Sequence, residues 1–373
     1  METILYYLFQ LWHIIQYYLL PFVIVLGIMI FFHELGHFLL AKYFDVKVLK
    51  FALGFGPKIL AKKMGETEYS IRYVPLGGFV KMLGEDEEDE DSVDVTPEDA
   101  ERSFNNKHVF KRIAIVAAGP IFNLILAFLL FSGLYLISGK YIMTTEIGQI
   151  TPGSQAERAG IAPGDIVTSV QGIKVSKWDE MKSIVQRSAD QPLSLTVKRG
   201  NKILTFEIVP KIATVKNEFG EEIKSALIGI VAAGKFTKVE IGPIQSVYES
   251  FLETWRWIKL TCLVVVKLFQ GVISIKTVGG PILIGQMTGN LVQEDISYLI
   301  PFMAIISINL GILNLFPIPI LDGGLIIFLI IELAMKKPLS IRKREIAQKV
   351  GISFLVILMV IVFYNDILRI IKQ

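Results

Sequence analysis

The chain has 373 residues, 52% of them apolar and 20% charged, with a formal net charge of +3 and a mean hydropathy of +0.54. Such a composition excludes a freely soluble enzyme and a largely disordered chain, and the absence of a dense Lys/Arg tract with interleaved aromatics excludes a nucleic-acid partner. The single cysteine, Cys262, rules out an internal disulfide and a thiolate zinc cage, which leaves His and carboxylates as the available metal ligands.

Residues 3–32 carry no Asp, Glu, Lys or Arg, more than the roughly 20 apolar residues that cross a bilayer as a helix. Residues 1–40 are therefore read as a first span, and they lack the basic start and short apolar core of a cleaved signal peptide. Segment 41–112 is expected on the cytoplasmic side, with short strands over Phe51 to Leu60 and Tyr69 to Met82, then the acidic run Glu85 to Asp91 as a solvated loop without a ligand. Uncharged residues 113–138 form a second span. Next, 141–232 reads as a β-rich module: Thr151-Pro-Gly-Ser154, Ala159-Gly160, Pro163-Gly164-Asp165 and the alternating Leu193 to Val197 and Leu204 to Ile208 give strand, short helix, tight turn, strand, helix and hairpin. This pattern resembles a bacterial PDZ domain.

Segment 240–295 is apolar in part, but Lys259 and Lys267 fall inside 257–275. It is expected to lie along the interface, with Trp255 and Trp257 at headgroup depth. The third span is 296–334, the basic loop 335–349 follows, and 350–373 hold the fourth span and tail. Four spans place Lys42, Lys47, Lys50, Arg102, Lys107, Lys111, Arg112 and the basic loop on the cytoplasmic side, as the positive-inside tendency requires. The expected fold is a polytopic α-helical membrane protein with four transmembrane helices, a membrane-associated β-hairpin region and one extracytoplasmic PDZ-like domain.

His33-Glu34-Leu35-Gly36-His37 carries the chemistry. On a helix, positions i and i+4 share a face, so both imidazoles reach one zinc while Glu34 approaches the bound water as general base. A carboxylate in a spanning helix costs about 2.5–3.5 kcal/mol and is functional by default. Catalytic zinc usually keeps three protein ligands, and Asp322 is the only carboxylate in 296–331. At 1.5 Å per residue, His33 and Asp322 reach similar depth near the cytoplasmic face. Pro317 and Pro319 should unwind the backbone before Asp322, which is tolerated at membrane depth only around a protein cavity. Asn123, in span two, is expected to pack that span against the catalytic helix.

Over essentially its full length the chain resembles the bacterial site-2 proteases of the regulator-of-sigma-E protease group. The resemblance is carried by the His33 to His37 motif, Arg72 to Met82, Ser103 to Lys107, Ala118 to Asn123, Asn314 to Gly324, and Asn365-Asp366. It implies an intramembrane zinc endopeptidase of the bacterial inner membrane in which His33, His37 and Asp322 bind zinc, Glu34 is the base and Asn314 holds the substrate backbone. It further implies that the strands containing Gly54 and Gly56 form a membrane-associated β-loop contacting an unwound substrate. Expected partners are the lipid bilayer and single-span proteins, namely anti-sigma factors or signal-peptide remnants, cut after a first extracytoplasmic cleavage in regulated intramembrane proteolysis. Two departures stand out: family members commonly carry two PDZ domains and a histidine after the Gly-Gly pair, whereas this chain has one module and Leu325. The module is expected to gate substrates by size; peptide capture on Ile147 to Ile150 as an edge strand is the alternative. A non-catalytic membrane PDZ scaffold would have no use for Glu34. A zinc transporter would need ionisable residues along a path across the bilayer.

Overall fold

The computed structural model describes residues 2–85, 97–337 and 339–372; residues 86–91 of the acidic run lie outside the described residues. The chain forms two compact units, one of Met1–Leu134, Val247–Val266 and Ser274–Gln373, the other of Tyr135–Ser246 and Lys267–Ile273. In the first, α1 (Glu2–Ile14) continues through a π-helical turn (Ile15–Leu19) into α2 (Leu20–Tyr43). Two long strands follow, β1 (Val48–Met64) and β2 (Thr67–Met82), then α3 (Pro97–Glu101) and α4 (Val109–Ser138).

The strands are longer than the sequence pattern predicts and fold back on themselves. Lys50 to Leu53 have partners on both sides, Glu68 to Ile71 on one and Gly78 to Lys81 on the other, while Leu60 to Met64 pair with Ile71 to Thr67. Gly54 shapes the bend in β1: its φ is 90°, and a Cβ there would sit 2.8 Å from the Val74 carbonyl oxygen. Polar pairs fasten the sheet to its surroundings. Arg102 donates to both Glu66 oxygens at 2.8 and 2.9 Å and to Asp45 at 2.9 Å, Lys42 also pairs with Glu66, and Lys47 meets Asp99 at 2.7 Å. The Arg102 guanidinium, with Lys42, holds the Glu66 carboxyl down to about 2.

The second unit holds β3 (Lys140–Met143), β4 (Ile147–Ile150), α5 (Gln155–Ala159), β5 (Ile166–Val170), β6 (Ile173–Lys174), α6 (Trp178–Arg187), β7 (Leu193–Arg199), β8 (Lys202–Ile208), β9 (Lys211–Lys216), β10 (Glu222–Leu227), β11 (Ile230–Ala232) and β12 (Phe236–Val239). A sheet of order β6-β5-β7-β8 is joined by the pairs β3 with β12, β4 with β11 and β9 with β10. The expected alternation is realised: Leu193, Leu195 and Val197 are buried with Ile147, Val167, Val170, Met181, Val185 and Ile208. Ser154 caps α5 by accepting the Glu157 N–H, and Gly160 closes it at φ 85°, a left-handed position that favours glycine. Asp165, fully buried, accepts from Arg199 at 2.7 and 2.8 Å and from the Ala162 N–H at 2.9 Å, which holds its carboxyl below the usual range, Arg199 first.

Two expectations for this module change. Its boundaries widen beyond 141–232, because β12 returns to pair with β3. Ile147 to Ile150 is not a free edge either: β11 pairs with it, and Ile147 exchanges hydrogen bonds with Gly164 and Asp165 on its other side. A groove in this unit lies between α6 and 226–231, a cavity of about 290 Å³ lined by Trp178, Met181, Val185 and Ile228.

The chain then adds α7 (Pro243–Phe269), α8 (Pro281–Glu294), α9 (Leu299–Asn314), α10 (Asp322–Met335) and α11 (Ile341–Ile371). Among the described residues, four helical stretches are long and apolar enough to cross a membrane: Leu5–Tyr43, Val109–Ser138, Ile296–Asn314 and Arg342–Ile371. In hydrocarbon a helix satisfies its own backbone, so uninterrupted apolar runs adopt it. Trp255 is half exposed, whereas Trp257 and Ile258 pack on a core of Ala127, Phe131, Ala304 and Ile308. One face of the segment expected at the interface therefore joins the helix bundle.

Glycines set the helix approaches. A Cβ on Gly36 of α2 would strike the Ala118 carbonyl of α4, and one on Gly311 of α9 would lie 2.9 Å from the Pro120 oxygen. Small residues at such crossings let backbones pack closely. Further along, the buried Asp366 of α11 accepts the N–H groups of Gly280, Ile282 and Leu283 at 3.0, 3.1 and 3.1 Å. It thus caps α8 from another helix, satisfying donors a helix start leaves free.

Candidate active site

His33 and His37 lie one turn apart on α2 and are both largely buried. Their Nε2 atoms are 3.3 Å apart. Asp322 completes a triangle, with Oδ2 3.2 Å from His33 Nε2 and Oδ1 3.6 Å from His37 Nε2. Ligands about 2.0–2.1 Å from one zinc at tetrahedral angles stand about 3.3 Å apart, as the His33–His37 and His33–Asp322 pairs do. His37 Nδ1 lies 2.9 Å from the Ile115 carbonyl oxygen. A carbonyl only accepts, so Nδ1 carries the proton and Nε2 turns its lone pair inward. Asp322 Oδ2 is buried with no hydrogen-bond donor, a cost that a shared cation removes. Among the described residues, these three form the one His/carboxylate group close enough to hold a metal.

The local fold explains how Asp322 arrives there. Helix α9 stops at Asn314, and 315–321 turn back through Ile318 N–H to Phe316 O at 2.7 Å and Leu321 N–H to Ile318 O at 2.8 Å. Pro317 and Pro319 forbid a continuous helix across this stretch. Side chains at Gly323 or Gly324 would collide with the backbone of Leu315, Phe316, Ile318 and Pro319, so only glycine lets α10 start beneath the turn. Asp322 then sits in the first turn of α10, where the helix dipole favours a carboxylate.

Glu34 is buried beside the histidines, and the Val80 backbone hydrogen-bonds its carboxylate. A Cβ on Gly78 would lie 2.8 Å from Glu34 Cγ, so glycine is needed where β2 meets Glu34. The Asn314 amide nitrogen is 3.5 Å from His33 Nε2, and that of Asn123 is 3.2 Å from His33 Nδ1. The fold brings His33, Glu34, His37, Asp322, Asn314 and Asn123 together beside the turn that carries Pro317 and Pro319. Gly54 and Gly56 lie in β1 at φ 90° and 84°, and Gly78 and Val80 of β2 reach the helix that carries the histidines. Gly77-Gly78 inside a strand pattern was a usable signal for close approach. Ile115 offers a carbonyl, which leaves no mark in a sequence.

The profile of Peptidase family M50 matches residues 21–358. A protein of Brucella suis biovar 1 named a zinc metalloprotease is 35% identical over 94% of each chain, and one of Campylobacter jejuni is 36% identical over 96% of each. The regulator of sigma-W protease RasP of Bacillus subtilis is 32% identical over 94% of this chain and 98% of its own. The HtrA3 PDZ domain bound to a phage-derived ligand is 30% identical over 22% of this chain and 73% of its own, at a TM-score of 0.17, too low to bear on the fold. With a histidine pair, an aspartate and a glutamate gathered on apolar helices and a family match over most of its length, the chain belongs to peptidase family M50, the site-2 proteases, and is a multi-pass membrane metalloprotease that uses zinc.

Proposed function

We propose that this chain is an intramembrane endopeptidase of the bacterial inner membrane that cuts single-span proteins within or beside the bilayer. The observation that carries this reading is the metal-binding triangle with Glu34, its two histidines and the glutamate lying on a helix long and apolar enough to span and its aspartate at the start of the apolar helix α10. Zinc, when bound, polarises the scissile carbonyl and acidifies a water. Glu34 takes the proton from that water and returns it to the leaving amine. His33, His37 and Asp322 hold the metal, and Asn314, against His33, is placed to donate to the substrate backbone. A peptide bond in a transmembrane helix has its carbonyl engaged in the helix ladder, so the substrate must unwind. Adding the unwound segment to β2 near Gly78 would satisfy its backbone beside Glu34.

Kinship with a regulator of sigma-W protease supports anti-sigma factors as the substrate class, with signal-peptide remnants as a second source of single-span segments. The module between spans two and three is PDZ-like and extracytoplasmic in this reading, and it excludes substrates whose ectodomain has not been trimmed. The groove beside α6 favours a second reading, peptide capture, now on the 226–231 segment rather than on β4. Deleting the module separates the two: a gate predicts that untrimmed substrate becomes cleavable, capture predicts slower cleavage of trimmed substrate.

Purified protein with a tagged single-span substrate tests the main proposal. Wild type should contain zinc and cleave; Glu34→Gln should keep zinc and lose cleavage; His33→Ala, His37→Ala and Asp322→Ala should each lose zinc. Full activity in Glu34→Gln would refute the assignment of the base.

A further inference from the structure

We propose that α4 sets the orientation and tautomer of both zinc-binding histidines, with the Ile115 carbonyl acting on His37 and the Asn123 side-chain amide on His33, so that Asn123 is a positioning residue for the metal. The inference rests on the zinc site described above and deepens it. Ile115, Gly119 and Asn123 are spaced four residues apart and therefore line one face of α4. All three meet the histidines. Ile115 accepts from His37 Nδ1 at 2.9 Å, a Cβ on Gly119 would collide with both imidazoles, and Asn123 faces His33 Nδ1 at 3.2 Å. The glycine thus brings the helix close enough for its neighbours one turn away in each direction to reach the ring nitrogens that point away from the metal.

His33 turns Nε2 toward His37 and Asp322. A ligating Nε2 needs its lone pair, which puts the proton on Nδ1 and makes Nδ1 a donor. Asn123 has zero exposure, and its amide nitrogen faces that donor while Oδ1 is buried without a partner. A half-turn of the amide exchanges the two atoms and puts Oδ1 against Nδ1–H, replacing a donor facing a donor with a hydrogen bond. The geometry also fixes where Asn123 stands: its backbone carbonyl accepts from Ser307 Oγ of α9 at 2.8 Å. The residue is held from one side while it holds His33 on the other. An outer acceptor of this kind sharpens the ligand's orientation and basicity, and its loss typically costs about 10- to 100-fold in metal affinity.

Simple packing makes a different prediction, because leucine has the heavy-atom count and branching of asparagine but no acceptor, whereas aspartate keeps an acceptor at the same place. Zinc affinity of the full-length protein, measured by chelator competition, should fall about 10- to 100-fold in Asn123→Leu and stay within a few-fold of wild type in Asn123→Asp. Cobalt(II)-loaded protein should show altered ligand-field absorption in the leucine variant and a wild-type spectrum in the aspartate variant. Melting of the chelator-stripped proteins reports any folding defect separately, and the ranking of the two variants decides the matter even if both melt lower. Wild-type affinity in Asn123→Leu, or an equal loss in both variants, overturns the proposal. Retention of zinc by His33→Ala would instead overturn the ligand assignment on which it rests.

Discussion

The two units differ in what they expose and in how many polar groups they bury. In the module, Leu193, Leu195 and Val197 and their neighbours form an apolar core, and the charged groups of Lys198 and Lys202 stay at its surface, as a fold stabilised by water requires. In the membrane unit, Glu34, Arg112, Asn123, Ser307 and Asp366 are buried, while many leucines, isoleucines and phenylalanines are exposed. Arg112 pairs there with Glu332 between α4 and α10. Lipid tails are as apolar as leucine, so excluding them yields little, and close glycine contacts with satisfied polar groups hold these helices instead. One chain therefore relies on an apolar core in one unit and adds interlocked backbones to its apolar clusters in the other.

That contrast can be broken by experiment. The largest effect is expected from Leu195→Ala, which should destabilise the module by about 2–5 kcal/mol and leave zinc content unchanged; loss of zinc on proteolysis-monitored unfolding of the module would show the two units to be thermodynamically joined. Gly119→Ala should cost about 1–3 kcal/mol through overpacking yet strip the metal, since the added methyl meets both histidines. Normal zinc content in that variant would disprove the steric fit. Asp165→Asn should cost the module about 1 kcal/mol, as the Arg199 end of the pair is open to water, and chemical denaturation measures it.

The smallest effect is a pH dependence. Glu66 is held below its ordinary value of 4.5, down to about 2, chiefly by Arg102. A lowered carboxylate contributes its stability in full above the ordinary value and loses it as pH falls toward the lowered one. The melting difference between wild type and Glu66→Gln should therefore be constant above pH 4.5 and vanish toward pH 2. A difference that grows on acidification would mean that Arg102 and Lys42 are not what holds the carboxylate.

The catalytic core was legible because its chemistry is carried by side chains at helical spacing: His33 and His37 at i and i+4, and Asp322 as the lone carboxylate in an apolar stretch. The break between α9 and α10 was legible for the same reason, since two prolines cannot be absorbed silently. What stayed hidden is backbone work. The Val80 contact to Glu34 and the Ile115 carbonyl to His37 come from main-chain groups that every residue possesses. The doubled pairing of Lys50 to Leu53 and the return of β12 to β3 depend on contacts distant in sequence. Residue type says little about either, so strand limits and module boundaries moved while the ligand set did not.

The cap that Asp366 places on α8 has a topological meaning. Joining Gly280 to Asp366 closes a circuit of 86 residue steps, and both Asn314 and Asp322 ride inside it. Closing so long a loop is entropically only modestly dearer than closing a short one, and because α8 packs against α2 the clasp ties the loop that carries the aspartate ligand to the helix that brings the histidines. A clasp near the end of the chain thereby steadies a metal ligand 44 positions earlier in the sequence, which makes the final turns of the polypeptide part of the enzyme's working frame.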